Sequence, residues 1–150
     1  MFNIKLIAVG KLKEAYLRNL EEKYKKIICN KHRLSIVEVP DESIPKNKGK
    51  AMNTLIKKRE GSKILENISG SDYVIMLAID GKSMDSQKLS RLVEEGAKKK
   101  EGNIAFVIGG SLGLDEEVLK KADIKISFSE MTFPHQLMRI ILLEQIACYL

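Results

Sequence analysis

The chain has 150 residues, of which 44% are hydrophobic and 31% charged, and its 26 Lys and Arg against 20 Asp and Glu give a net charge of +6. That composition excludes fibrous and disordered classes, and one domain of this length buries roughly 70% of its unfolded surface without a disulfide or metal. Residues 1–75 carry 16 basic and 9 acidic groups while residues 76–150 carry 10 and 11, an asymmetry that suggests a polyanion such as nucleic acid on the N-terminal half, with lysine-rich solvated helices as the competing reading.

Residues 4–9 are apolar and end at Gly10, which predicts a strand. Tyr16, Leu20, Tyr24, Ile27 and Ile28 recur as the stripe of an amphipathic helix. Residues 34–39 read as a second strand stopped by Pro40. Residues 40–50, with two prolines and a basic end, read as a mobile loop. A helix is expected from about Ala51, with Leu55, Ile56, Ile64, Leu65 and Ile68 inward and Gly61 weakening its middle. The continuous apolar run 73–79, closed by Asp80-Gly81, suits a strand covered on both faces. A helix over 86–100 places Leu89, Leu92, Val93 and Ala97 inside. Residues 104–108 form another buried strand, ended by Gly109-Gly110. Asp115 caps a short helix, with Glu116 and Glu117 in its first turn and Lys120 and Lys121 in its last. A last strand covers 124–128, and Pro134 starts a helix that runs to Leu150. That helix is apolar on most faces, which means deep burial or a subunit interface. The alternation of strands and helices argues for one α/β domain over 1–150, with a mostly parallel sheet and helices on both faces.

In such a sheet, ligands sit at the carboxyl ends of strands. Three expected strand ends carry loop-making residues: 80–83, 109–113 and 127–132. Gly81-Lys82-Ser83 resembles the end of a P-loop, but the required glycine is Met76. The 109–113 loop lacks G-x-G-x-x-G spacing, and three acids open the helix after it, which repels a phosphate. A neutral or cationic nucleoside-like ligand held by backbone groups fits better, and a flavodoxin-like protein is disfavoured. No metal is expected, because the two histidines and two cysteines are not at ligand spacing. Cys29 and Cys148 make no C-x-x-C pair, and the N-terminus shows no signal-peptide pattern, so a cytoplasmic setting is expected. Cys148 reads as a buried, inert thiol. His135 and Arg139, four apart, share a face at the start of the last helix. They read as a partly cationic patch facing an anionic substrate, or as an ordinary surface pair.

Residues 106–114 (Phe-Val-Ile-Gly-Gly-Ser-Leu-Gly-Leu), residues 127–139 (Ser-Phe-Ser-Glu-Met-Thr-Phe-Pro-His-Gln-Leu-Met-Arg) and Leu143-Glu144-Gln145 closely resemble the RlmH family, SPOUT-class methyltransferases of large-subunit ribosomal RNA. Residues 7–12, Val37-Glu38-Val39-Pro40, Glu60-Gly61 and residues 79–82 also match. The resemblance spans residues 1 to about 146. It implies a SPOUT α/β domain with a C-terminal trefoil knot that binds S-adenosyl-L-methionine. It also implies a homodimer that methylates N3 of a pseudouridine in 23S rRNA of the assembled ribosome, with no membrane partner. Carried over by position, the cofactor pocket comprises Leu77, Gly109, Phe128, Ser129, Glu130, Met131, Thr132 and Phe133. Gly109 lets the backbone approach the ligand closely. His135 and Arg139 are placed towards RNA, and no catalytic residue is assigned. Family members continue after Glu-Gln with an aromatic-Arg-Ala run and a tail containing Gly, Tyr and His. Here residues 146–150 are Ile-Ala-Cys-Tyr-Leu, without that tail. The alternative expectation is therefore an impaired member that only binds S-adenosylmethionine or the ribosome.

Overall fold

In a computed structural model, residues 1–42 and 49–150 are described. The basic positions Lys46 and Lys48, and most of the loop expected over 40–50, lie outside them. The elements alternate: β1 (Asn3–Val9), α1 (Ala15–Cys29), β2 (Arg33–Val39), α2 (Lys50–Glu66), β3 (Tyr73–Ser83), α3 (Ser86–Lys99), β4 (Asn103–Ile108), α4 (Glu116–Leu119), β5 (Ile124–Ser127) and α5 (His135–Tyr149). The five strands form one parallel sheet in the order β2-β1-β4-β3-β5. The chain runs outward from β1 to β2, then crosses to β3 and returns to β4, so β1 and β4 meet at a topological switch.

Side chains alternate across a strand, so β1 feeds two cores. Ile4, Leu6 and Ala8 join Phe106, Leu89 and Val93 with Ile140, Leu143 and Ile146 beneath α1, α3 and α5. Ile7 and Val9 join Val74, Met76, Val107, Ile64 and Val118 beneath α2 and α4. Both faces of the central strands are covered, which is why 73–77 and 104–108 read as unbroken apolar runs.

Several expectations are corrected. The stripe of α1 is Leu17, Leu20, Tyr24 and Ile28, because Tyr16 (63% exposed) and Ile27 turn outward. On α2 the buried positions are Ile56, Glu60, Gly61 and Ile64. Leu55 is exposed. Gly61 does not merely weaken that helix: a Cβ there would lie 2.9 Å from Val118 Cγ2, so the missing side chain lets α2 close on α4. Lys120 and Lys121 lie just past the end of α4, whose Asp115 cap accepts from Glu117 N. Cys148 is exposed, not buried, because it sits on the outer side of α5. No helix of the described residues is long and apolar enough to cross a membrane.

β3 is longer than the apolar run predicts. Its pairing with β5 jumps, so that Leu77 and Lys82 both face Ile126. Residues 78–81 form the bulge between them. Gly81 makes this possible by passing over β5 where a Cβ would meet the Ile126 backbone at 2.5 Å.

Candidate active site

Bulge, loop and helix start converge at the carboxyl ends of β3, β4 and β5. They enclose a cavity of about 670 Å³. The β3 bulge supplies Leu77, Ala78, Ile79 and Asp80, and the loop after β4 supplies 109–114. The segment after β5 supplies 127–129 and 131–134, and α5 supplies His135 and Met138. Of the eight expected cofactor residues, the structure brings Leu77, Gly109, Phe128, Ser129, Met131, Thr132 and Phe133 to this wall, but not Glu130. Glu130 is exposed. The residues around it make a tight turn. Ser127 Oγ donates to Ser129 O at 2.9 Å, and Met131 N donates to Ser129 Oγ at 3.0 Å.

The 109–114 loop is held shut by its own backbone. Gly113 N donates to Gly110 O at 3.0 Å, and Gly113 has φ +84°, a conformation that favours glycine. A Cβ on Gly109 would sit 3.0 Å from Gly113 C and O and from Leu114 Cδ2. The close approach at Gly109 is thus to the loop itself. Gly109→Ala is expected to destabilise the protein by about 1–2 kcal/mol and to weaken ligand binding by misplacing the loop. Urea melts and a ligand titration check both.

The wall is mostly apolar, and no Lys or Arg is among its residues. Asp80, the one acid, is exposed and pairs with Lys125 at 3.5 Å. A phosphate would find no cation here, whereas an amphipathic, cationic ligand meets apolar walls and backbone polar groups. That chemistry fits S-adenosylmethionine. Among the described residues no group of three His, Cys, Asp or Glu is placed to hold a metal.

His135 and Arg139 share a helix face but not a role. His135 is half-buried at the cavity edge. Burial lowers its pKa, Arg139 and Lys13 add to this, and Asp41 opposes it, so the imidazole is neutral at pH 7. Arg139 is 1% exposed. Its Nη1 donates to Glu38 Oε2 at 2.8 Å and Glu21 Oε2 at 3.3 Å, and its Nη2 to Gly10 O at 2.8 Å. It therefore faces away from RNA: its Nη1 and Nη2 tie α5 to α1, to β2 and to Gly10 just after β1, and its Nε is buried without a partner among the described residues.

Sequence reading missed three residues beside the cavity. Met138 follows His135 by one helical turn, a spacing that signals it. Asp41 sits beyond β2, and Glu60 is buried on α2 at 4% exposure. For Glu60 the only signal is an acid inside the apolar i, i+4, i+8 series of Ile56, Glu60 and Ile64.

A family described as "Predicted SPOUT methyltransferase" matches residues 2–148. The chain is 51% identical over 144 residues to "Ribosomal RNA large subunit methyltransferase H" of Clostridium novyi (strain NT), covering 96% of this chain and 91% of that protein. Proteins of the same name from Alkaliphilus oremlandii (strain OhILAs) and Leuconostoc citreum (strain KM20) are 49% and 46% identical over the same shares. With that match over nearly its whole length, and a parallel α/β sheet bearing a cavity at its strand ends, the chain belongs to the SPOUT methyltransferase family, among the ribosomal RNA large subunit methyltransferase H proteins.

Proposed function

We propose that this protein methylates N3 of a pseudouridine in 23S rRNA of the assembled ribosome, taking the methyl group from S-adenosyl-L-methionine and acting as a cytoplasmic homodimer. The observation that carries the reading is the cavity at the ends of β3, β4 and β5, apolar-walled and without a lining cation, in a chain whose relatives bear the name of a large-subunit rRNA methyltransferase. Leu77, Gly109, Phe128, Ser129, Met131, Thr132 and Phe133 hold the cofactor, which supplies an electrophilic methyl on a cationic sulfur. The facing of the 109–114 loop and the 128–134 segment across one cavity supports the family's trefoil knot here. The exposed apolar side chains Ile79, Met131 and Leu137 around the cavity mouth support a subunit contact.

This chain's own part is positioning. Apolar walls exclude water, and the loops aim the reactive carbon at the target nitrogen. His135 faces the substrate and takes up the proton that the nitrogen loses. Lys11, Lys13 and Lys23, exposed on the N-terminal half, supply a salt-sensitive grip on phosphates.

The test is transfer of labelled methyl to ribosomes lacking the modification. Incorporation into 23S rRNA is the expected result, and none under conditions where a relative is active overturns the reading. In a thermal-shift panel, S-adenosylmethionine at 100 times its Kd is expected to stabilise by about 2.7 kcal/mol, a rise in Tm of about 5–10 °C. Stabilisation by FMN in its place points to a different ligand class.

A further inference from the structure

We infer that the buried carboxylate of Glu60, set against the back of the 109–114 loop, makes the cavity select a cationic ligand over its neutral counterpart, so that the methyl donor is held more tightly than the demethylated product. The inference deepens the S-adenosylmethionine reading above and rests on it.

Glu60 stands on α2, yet it reaches the wall of the site. Its Oε1 would lie 3.3 Å from a Cβ on Gly110, and Gly110 lines the cavity. Because Gly110 has no side chain, the carboxylate sits against the backbone of the wall itself. Its other oxygen, Oε2, accepts from Glu42 N at 3.2 Å, which holds the side chain in this place. Glu60 is only 4% exposed, so water screens its charge little.

That charge is not met by the protein. Among the described residues no Lys or Arg makes an ion pair with Glu60. Lys63, nearly one turn further along α2, is paired with Glu42 at 3.7 Å. The groups around Glu60 are acids. Asp41 and Glu42 approach from the segment after β2. Asp115, at the start of α4, has its Cβ 3.2 Å from where a Cβ on the adjacent Gly61 would stand. From the cavity side, no Lys or Arg is among the lining residues. A buried carboxylate left without a cation is costly. Burial first, then Asp41 and Glu42, opposed by the Glu42 N–H, push its pKa from 4.5 to about 7.

A positive charge entering the cavity offsets that cost, and a neutral ligand of nearly the same shape does not. The donor and its product differ in this way. The N–C bond forms as the S–C bond breaks with its electron pair left on sulfur, and the proton displaced from nitrogen goes to His135. The sulfur is then neutral, and the attraction that held the donor no longer holds the product, which favours its release.

Calorimetric titrations with S-adenosylmethionine and with S-adenosylhomocysteine test this, because their affinity ratio cancels the adenosyl and amino-acid contacts that both make. At pH 8, Glu60→Gln is expected to lower the preference for S-adenosylmethionine about tenfold, chiefly by weakening that ligand. Gln keeps an acceptor for Glu42 N and removes the buried charge, so the variant is expected to fold. Glu60→Asp, which keeps the charge, is expected to retain most of the preference even where both affinities fall. The difference between Glu60→Gln and the unsubstituted protein is expected to shrink as pH falls from 8 to 6 and Glu60 takes up its proton. Urea melts without ligand report the same group. Its folded pKa is raised, so its share of stability is present below 4.5 and lost as pH rises to about 7, a loss that Glu60→Gln is expected to lack. A preference in Glu60→Gln within twofold of the unsubstituted protein's overturns the inference, and an equal fall in both affinities would mean that Glu60 only supports the loop. If neither ligand binds any of the proteins, the cofactor reading has failed and the inference falls with it. If both bind and the preference does not depend on Glu60, the inference alone has failed.

Discussion

Arg139→Ala is expected to destabilise the protein by about 3 kcal/mol and to lower Tm by roughly 10 °C. The guanidinium is 1% exposed and binds three elements at once, through Glu21 on α1, Glu38 on β2 and Gly10 O beyond β1. Removing it leaves the Gly10 carbonyl without that donor and a cavity where α5 crosses α1. The two acids are not buried to the same degree, with side-chain exposures of 18% and 38%. They regain water once freed, which holds the loss near the lower end for a broken buried pair. Because the contact is shielded, the loss should persist in about 0.5 M salt, where surface pairs are screened. Urea melts at low and high salt measure it. A change below about 1 kcal/mol, or one that vanishes with salt, would mean that the three contacts are no stronger than surface pairs. The same substitution frees the first turns of α5, so His135 and Met138 lose their fixed place on the cavity wall. Ligand affinity should therefore fall even where the variant is fully folded.

Arg139 also shows where a sequence stops informing. A polar residue four positions from His135 at a helix start looks like a surface partner. Its acceptors lie 101 to 129 residues away, and no local pattern reports them. Glu60 is hidden in the same way, since an acid in a helix normally faces water. The order of strands and helices, by contrast, is written in local periodicity, so every element is legible to within a few residues. The strand order β2-β1-β4-β3-β5 depends on crossovers, which periodicity does not encode. The helix stripes slip by one position at Tyr16 and Leu55 because a Leu or Ile follows directly, Leu17 and Ile56, and the tertiary partner decides between them. The cavity loops were legible because glycine and serine after an apolar run mark strand ends. The bulge in β3 was not, because its cause is the backbone of β5.

That bulge carries the second large effect. Gly81→Val is expected to destabilise the protein by about 3 kcal/mol and to reduce ligand affinity at least about tenfold. The argument is steric. A Cβ on Gly81 would lie 2.5 Å from Ile126 C and 2.7 Å from Ile126 N and O. These are main-chain atoms of β5, which pairs with β3 on both sides of the bulge, so no side-chain rotation relieves the clash. Either β5 shifts outward or the bulge unpairs at Lys82 and Ser83. Both routes move the cavity wall, because Ile79 and Asp80 stand on the bulge while Ile126, Ser127 and Phe128 continue from β5. Gly70→Val is the matched control, since a Cβ there meets nothing within 4 Å and little change in cavity or fold is expected. Urea melts and a calorimetric titration with S-adenosylmethionine separate the two losses. If Gly81→Val binds as tightly as the unsubstituted protein at a temperature where it is folded, the bulge does not shape the ligand site. If it binds weakly while Gly70→Val binds normally, the crossing of Gly81 over Ile126 is what sets the distance between the two walls of the cavity.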